Sequence, residues 1–304
     1  MRSPEDAKRA EGSEPTRTSK STLLPGSLVI VATPIGNLGD MTQRAVDCLT
    51  DAAVIACEDT RVTAKLLSAY AIRTPMLAYH EHNAARMRPL LIARLKQGEI
   101  VALVSDAGTP LVSDPGYKLV EAAIAENIPV TAAPGASALL TALVLSGLPS
   151  DRFLFAGFLP PKSPARRTEI RALAAVPATL IFYEAPQRLA KALGDLADML
   201  GPRPATVARE LTKRFEEVRR DRLDSLAAHY RDAPQPKGEI VILVGPPGTD
   251  AKETSEPDLD AALEAALAKH SVKEAAALVA AQTGLPRRAV YARALMLRSE
   301  RPDG

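Results

Sequence analysis

Two clusters in this chain carry side chains of the types and spacing that act on a ligand. Arg209-Glu210-Leu211-Thr212-Lys213 sets a carboxylate between cations directly after an apolar stretch, and residues 105–116 place two Gly, two Pro and two Asp directly after Val-Ala-Leu-Val. Buried parallel strands read as continuous apolar runs, and in open α/β sheets ligands sit beyond the carboxyl ends of such strands. Ser105-Asp106-Ala107-Gly108-Thr109-Pro110, with Ser113 and Asp114, is therefore a candidate ligand loop; by composition alone it reads equally as a long turn whose Pro and Gly only set the backbone. Basic residues continue from Arg203 to Arg222, which a solvated face also explains, and Arg86, Arg88, Lys162, Arg166, Arg167, Arg287 and Arg288 add candidate phosphate contacts.

Smaller groups carry less. Glu58-Asp59 with Arg61 reads as a paired charge cluster or as an acid pair at a helix N-terminus. His80-Glu81-His82 could set two imidazoles on one side of an extended segment, but no third metal ligand is evident, and a polar site wall or a surface loop is the preferred reading. Neither a dinucleotide fingerprint, a P-loop nor a G-x-S-x-G nucleophile elbow occurs.

The elements that must position these groups follow from apolar periodicity. Strands are expected at residues 27–32, 53–57, 75–79, 100–105 and 129–132, each followed by a loop and a helix-spaced segment. Such alternation predicts a parallel sheet covered by helices, whose carboxyl-end loops at residues 33–40, 58–61, 80–83, 105–116 and 134–137 converge on one edge. After a turn-rich break at residues 147–150 a second α/β domain is expected, with strands at 152–158, 178–183, 205–211 and 239–244 and helices at 165–174 and 186–200. The last segment reads as three short helices, with Ser271-Val272-Lys273-Glu274 as a capping box, Gly284 as a stop and Pro286 opening the third. This is either a helix-turn-helix unit or a helical hairpin that only packs. The expected division is a disordered tail (1–25), two α/β domains (26–149 and 150–248), a polar linker (249–257) and a helical appendage (258–300).

Bulk composition sets limits. Hydrophobic residues at 46% and charged residues at 24% are those of a globular chain, and no apolar run approaches the roughly 20 residues of a membrane helix. No secretory signal is read in the first 21 residues. A net charge of +2 does not by itself announce a nucleic-acid partner, and aromatics at 4% disfavour an extended base-stacking surface. Cys48 and Cys57 read as small core residues.

Taken together, residues 33–40, 58–61, 105–116, 134–138, 181–184, 208–213 and 237–241 resemble, in unbroken order, the small-subunit ribosomal RNA methyltransferase I family of the tetrapyrrole methylase superfamily. The resemblance implies two α/β domains with S-adenosyl-L-methionine in the cleft between them, a homodimer in the cytoplasm, and 2′-O-methylation of a cytidine ribose in the decoding region of 16S rRNA in the 30S subunit. It also implies that the last helices are a helix-turn-helix segment. On that footing Pro34, Gly36, Asn37, Ser105, Asp106, Ala107, Gly108, Thr109, Pro110, Ser113, Asp114, Pro134, Gly135, Ala136 and Ser137 are expected at the cofactor, with Gly108 and Gly135 permitting close approach. Lys213, Glu210 and Arg209 are expected on the acceptor side, with Glu58, Asp59, Arg61, Tyr183, Glu184 and Arg188 as further cleft wall and no metal. Val62 and Gln187 stand where the family pattern has His. The competing readings are a porphyrinoid methylase of the same superfamily and a non-catalytic ligand sensor whose last helices bind DNA; the basic stretch and the appendage favour RNA over a tetrapyrrole.

Overall fold

The computed structural model describes residues 23–113, 116–248, 256–283 and 287–299. The expected tail up to residue 22, Asp114, linker residues 249–255 and the helix boundary at Gly284 and Pro286 lie outside the described residues.

The first half forms one parallel sheet from β1 (Leu28–Val31), β2 (Val54–Cys57), β3 (Met76–Ala78), β4 (Val101–Val104) and β5 (Val130–Ala133), in the order β3-β2-β4-β1-β5. Helices α1 (Gln43–Asp51), α2 (Thr60–Ala69), α3 (Ala84–Lys96), α4 (Tyr117–Ala125) and α5 (Ala138–Ser146) connect the strands or follow the last. β2 and β4 are buried at every position, because one face packs with Ala45, Leu49 and Leu67 of α1 and α2 and the other with Leu91, Leu95 and Leu119 of α3 and α4. That two-sided burial is why they read as unbroken apolar runs. Cys48 and Cys57 are free thiols in this core, and burial pushes both pKa values up. After β4 the chain crosses to the other side of β1 to make β5, so the order reverses at β1, the kind of place where such sheets hold ligands.

The second half forms a mixed sheet from β6 (Phe153–Phe158), β7 (Thr179–Glu184), β8 (Pro204–Arg209), β9 (Glu217–Arg222) and β10 (Ile240–Val244), ordered β6-β7-β10-β8-β9. Only β6 and β7 run parallel. Helices α6 (Ser163–Leu173), α7 (Leu189–Leu200) and α8 (Leu223–Asp232) cover one face. β10 divides its side chains by period two: Ile240, Ile242 and Val244 join that core, whereas Val241 and Leu243 face Leu139, Ala142 and Leu143 of α5. The last helix of the first half thus roofs the second sheet and fixes the two sheets against each other.

Residues 217–222, expected only as part of a basic run, form the edge strand β9, which four consecutive charged residues hid from an apolar pattern. An edge strand flanked by solvent tolerates such charge. α8 was likewise not expected. The appendage consists of α9 (Glu256–Leu267), α10 (Val272–Thr283) and α11 (Arg287–Ser299), with a core of its own around Leu263, Ala276, Val279 and Val290. α9 starts inside the expected linker, at Glu256. The capping box forms: Glu274 accepts from Ser271 N at 3.1 Å, and Ser271 Oγ accepts from Glu274 N at 3.4 Å. No helix among the described residues is long and apolar enough to cross a membrane.

Candidate functional site

A cavity of about 410 Å³ opens between the two sheets. The first half lines it with Ile35, Asp106, Ala107, Gly108, Thr109, Val112, Ser113, Ser137 and Ala138; the second with Phe158, Tyr183, Glu184, Ala185, Pro186, Leu211, Gly238, Glu239, Ile240 and Val241.

The loop after β4 owes its shape to bonds with its neighbours at the same sheet edge. Thr33 and Gly108 exchange backbone bonds of 2.9 and 3.0 Å, Thr33 Oγ1 donates to Ser105 O at 3.3 Å, and Thr109 Oγ1 donates to Ala136 O at 3.2 Å. From the side of β2, Asp59 N donates to Asp106 Oδ1 at 3.1 Å. The loop also holds strained backbone, with Leu111 and Ser113 at φ of 72° and 66°, and the facing loop after β8 holds Glu210 and Thr212 at 51° and 65°. These are four of the six non-glycine residues with positive φ among the described residues, each costing about 1–3 kcal/mol. Of these four, Ser113 lines the cavity, and the others lie in the two loops that flank it.

Lys213 closes the cleft's rim. Its stem lies flat over Gly36, where an added Cβ would come within 2.4 Å of Lys213 Cγ. Its ammonium donates to Glu210 Oε1 and to Glu239 Oε2, both at 2.8 Å. Burial by itself lowers the Lys213 pKa, but the two carboxylates outweigh it and hold the pKa above the usual lysine value. The bond from Lys213, opposed by burial, pulls Glu210 below the usual glutamate value. Glu210 Oε1 also accepts from Glu239 N at 3.1 Å, and this needs Gly238, at φ +97°, because a Cβ there would sit 2.3 Å from Glu210 Cδ. The two carboxylates thus favour the charged, donating form of Lys213.

The expected site residues divide. Asp106, Ala107, Gly108, Thr109, Ser113, Ser137, Tyr183 and Glu184 line the cavity; Ser105, Pro110, Pro34, Gly36, Asn37, Pro134, Gly135 and Ala136 do not. Asn37 instead accepts from Gly39 N at 3.0 Å to cap a single 3-10 turn, and Gly36 seats Lys213. Gly135 approaches Ala32 of the segment after β1, with a Cβ only 3.1 Å from its methyl, so its closeness serves packing. Gly108, at φ +80°, faces both the cavity and Ile35, whose Cγ2 would lie 3.3 Å from an added Cβ.

Glu58, Asp59 and Arg61 stand outside the cavity lining. Asp59 caps α2, accepting from Arg61 N at 2.8 Å, and holds the Arg61 guanidinium; that bonding pulls the Asp59 pKa to about 2. Both readings hold for Asp59, which is at once a helix N-terminal acid and the partner of Arg61. Arg209 also turns away from the cavity, binding Glu217 Oε2 at 3.0 Å and Lys237 O at 3.2 Å to join β8 to β9. Arg188 lies behind the wall, donating to Glu184 Oε1 at 2.6 Å and Leu159 O at 2.7 Å. His80 and His82 meet edge to face at 6.0 Å, and no group of three metal-ligating side chains exists among the described residues. The sequence reading missed Ile35, Val112, Ala138, Phe158, Ala185, Pro186, Leu211 and the 238–241 segment as lining. Period two along β10 signals Val241, but nothing local marks Phe158, which enters through a bulge between Phe155 and Phe158.

Chemically, the wall carries carboxylates, two of them paired from behind or from the rim: Glu184 with Arg188 and Glu239 with Lys213. Asp106, Glu184 and Glu239 line it, and no Lys or Arg does. Phe158 and Tyr183, edge to face at 5.7 Å, supply an aromatic side. Such a cavity suits a cationic ligand with an apolar or planar part.

Comparison with known proteins bears on the family and the fold. The family model described as Tetrapyrrole (Corrin/Porphyrin) Methylases matches residues 27–227, and the RsmI C-terminal HTH domain matches residues 253–298. Ribosomal RNA small subunit methyltransferase I of Mesorhizobium japonicum is 53% identical over 92% of this chain and 95% of its own, and the Pseudomonas aeruginosa protein of that name is 46% identical over 89% and 97%. Among solved structures, the cobalt precorrin-4 methyltransferase CbiF superposes with a TM-score of 0.55 at 18% identity, covering 72% of this chain and 95% of that one. Uroporphyrin-III C-methyltransferase of Thermus thermophilus, complexed with S-adenosyl homocysteine, does so at 0.50 and 23%, covering 71% and 96%. The chain belongs to the tetrapyrrole methylase family and, within it, to the ribosomal RNA small subunit methyltransferase I group.

Proposed function

We propose that this protein transfers a methyl group from S-adenosyl-L-methionine to the 2′-oxygen of a cytidine ribose in the decoding region of 16S rRNA, acting on the 30S subunit in the cytoplasm as a homodimer. The observation that carries the reading is an acid-lined cavity with a charged lysine at its rim. The cofactor when bound supplies an electrophilic methyl on a positively charged sulfonium. Asp106, in no ion pair among the described residues, favours that charge, while Glu184 and Glu239 are already paired with Arg188 and Lys213, and Gly108 keeps the wall open. Phe158 and Tyr183 keep water from one side of it.

Transfer to a hydroxyl needs alignment first and relief of negative charge at oxygen second. Lys213 has three ammonium protons, and Glu210 and Glu239 engage two. The third has no acceptor among the described residues and is open to the acceptor oxygen, so Lys213 steadies the developing oxyanion while the hydroxyl proton passes to solvent water. Rigid mounting on Gly36 and Glu210 means little reorganisation is needed when the acceptor arrives. The names borne by the relatives support a ribosomal RNA substrate over a porphyrinoid. The test offers labelled cofactor with 30S subunits or with a tetrapyrrole acceptor: label in RNA ribose supports the reading, and label in the tetrapyrrole, or in neither, contradicts it.

A further inference from the structure

Phe215 is 65% exposed in a chain with only five phenylalanines, two positions after Lys213 and four after the cavity-lining Leu211. The Arg214 guanidinium lies over its ring, 5.6 Å from the centroid. Arg209, Arg219 and Arg222 are each paired with a carboxylate, whereas Arg214 has no acidic partner among the described residues. The turn that carries the pair is firmly held: Thr212 N donates to Glu216 Oε2 at 2.7 Å, Lys213 N to Glu210 O at 3.0 Å and Glu216 N to Lys213 O at 3.1 Å. β9 then leads away with Arg220, which donates to Leu145 O and to no acid among the described residues.

An aromatic face with an uncompensated guanidinium, fixed at the rim of a cleft, suits a ligand that offers flat rings and negative charge together. A protein partner would call for a contiguous apolar patch, and Phe215 stands between the exposed charges of Arg214 and Glu216. We propose that Phe215 and Arg214 form a stacking platform for an unpaired base of the RNA substrate, beside the nucleotide whose ribose enters the cleft. This rests on the RNA reading of the site. The ring takes the base face, while Arg214 and the start of β9 track the adjoining phosphates.

The test is steady-state transfer to 30S subunits by the full chain, with calorimetric titration of S-adenosylmethionine. Phe215→Ala should raise KM for subunits by about tenfold, as loss of one base stack does, with kcat within twofold and cofactor affinity unchanged. Phe215→Tyr should restore KM, and Phe215→Leu, which keeps bulk but has no π face, should not. The platform is overturned if Phe215→Ala leaves KM within twofold, if Leu restores as well as Tyr, or if the variant changes only the oligomeric state. Absence of transfer to subunits by the wild-type protein overturns the RNA reading and the platform together, whereas wild-type transfer with an unaltered Phe215→Ala overturns the platform alone.

Discussion

Gly36→Ala probes the lysine clasp without touching a charged group. The new Cβ would lie 2.4, 2.5 and 2.9 Å from Cγ, Cε and Cδ of Lys213, where carbon pairs rest at about 3.5–4.0 Å, so the stem must swing away by roughly 1 Å or more. Its ammonium then leaves two carboxylate oxygens, each now at 2.8 Å. Bonds to charged groups contribute about 1.5–3 kcal/mol each, and water replaces part of this because the Lys213 side chain is 26% exposed, leaving a net loss of about 1–3 kcal/mol. In a chain of this size that lowers Tm by about 2–4 °C per kcal/mol. If Lys213 steadies the oxyanion, kcat falls by about 10²–10³, as when one preorganised donor is removed. Thermal denaturation and single-turnover transfer read the two effects, while calorimetry should find cofactor binding retained, since Lys213 itself does not line the cavity and only its partner Glu239 does. Gly39→Ala is the control, because its Cβ meets only the Asn37 amide oxygen, at 3.2 Å. A lowered Tm with full kcat would refute the catalytic role of Lys213 and leave it a purely structural clasp.

Three further perturbations have defined outcomes. Gly108→Val places a branched side chain at φ +80° in the cavity wall and against Ile35; it should abolish cofactor binding by calorimetry, and normal affinity would displace the cofactor from this cavity. Asp195→Ala leaves the Arg166 guanidinium, 3% exposed and now 2.6 Å from the carboxylate, without its counter-charge, so urea denaturation should show a loss of about 3–5 kcal/mol with the catalytic constants of the remaining folded protein intact. The clasp's pH dependence follows from the signs: Glu210, depressed by the bond from Lys213, contributes stability above about pH 4.3 that is lost as pH falls through its folded value. Lys213, raised by its carboxylates against the opposing effect of burial, contributes fully below about pH 10.4 and loses that only above it. Between pH 6 and 9 a pH–rate profile should show no titration of Lys213, and Glu210→Gln should flatten the acid-side loss of stability.

Much of the first half was legible because β2 and β4 are buried on both faces and the loops at their carboxyl ends carry residues that packing does not require. Parallel strands with shared direction then oblige those loops to meet, and Thr33, Ser105, Asp106, Thr109 and Ala136 do meet. β9 was hidden because an edge strand satisfies its charges with solvent and local partners, such as Glu217 with Arg209 and Arg219. Side-chain direction was also hidden at short range. Arg209 and Lys213 lie four residues apart in one motif, yet the left-handed backbone at Glu210 and Thr212 sends one toward β9 and the other across Gly36. Gly135 shows the same limit from the other side, since a glycine that admits a neighbouring backbone segment and one that admits a ligand look alike until the backbone around them is known.

The most direct test of the central claim is to incubate the protein with labelled S-adenosylmethionine and 30S subunits from cells lacking this activity, and to map the modified nucleotide by mass spectrometry. One methyl group on the ribose of a single decoding-region cytidine, lost in Lys213→Ala while cofactor binding persists, is the predicted result. A methyl group on a base, its absence from ribosomal RNA, or full transfer by Lys213→Ala would contradict it.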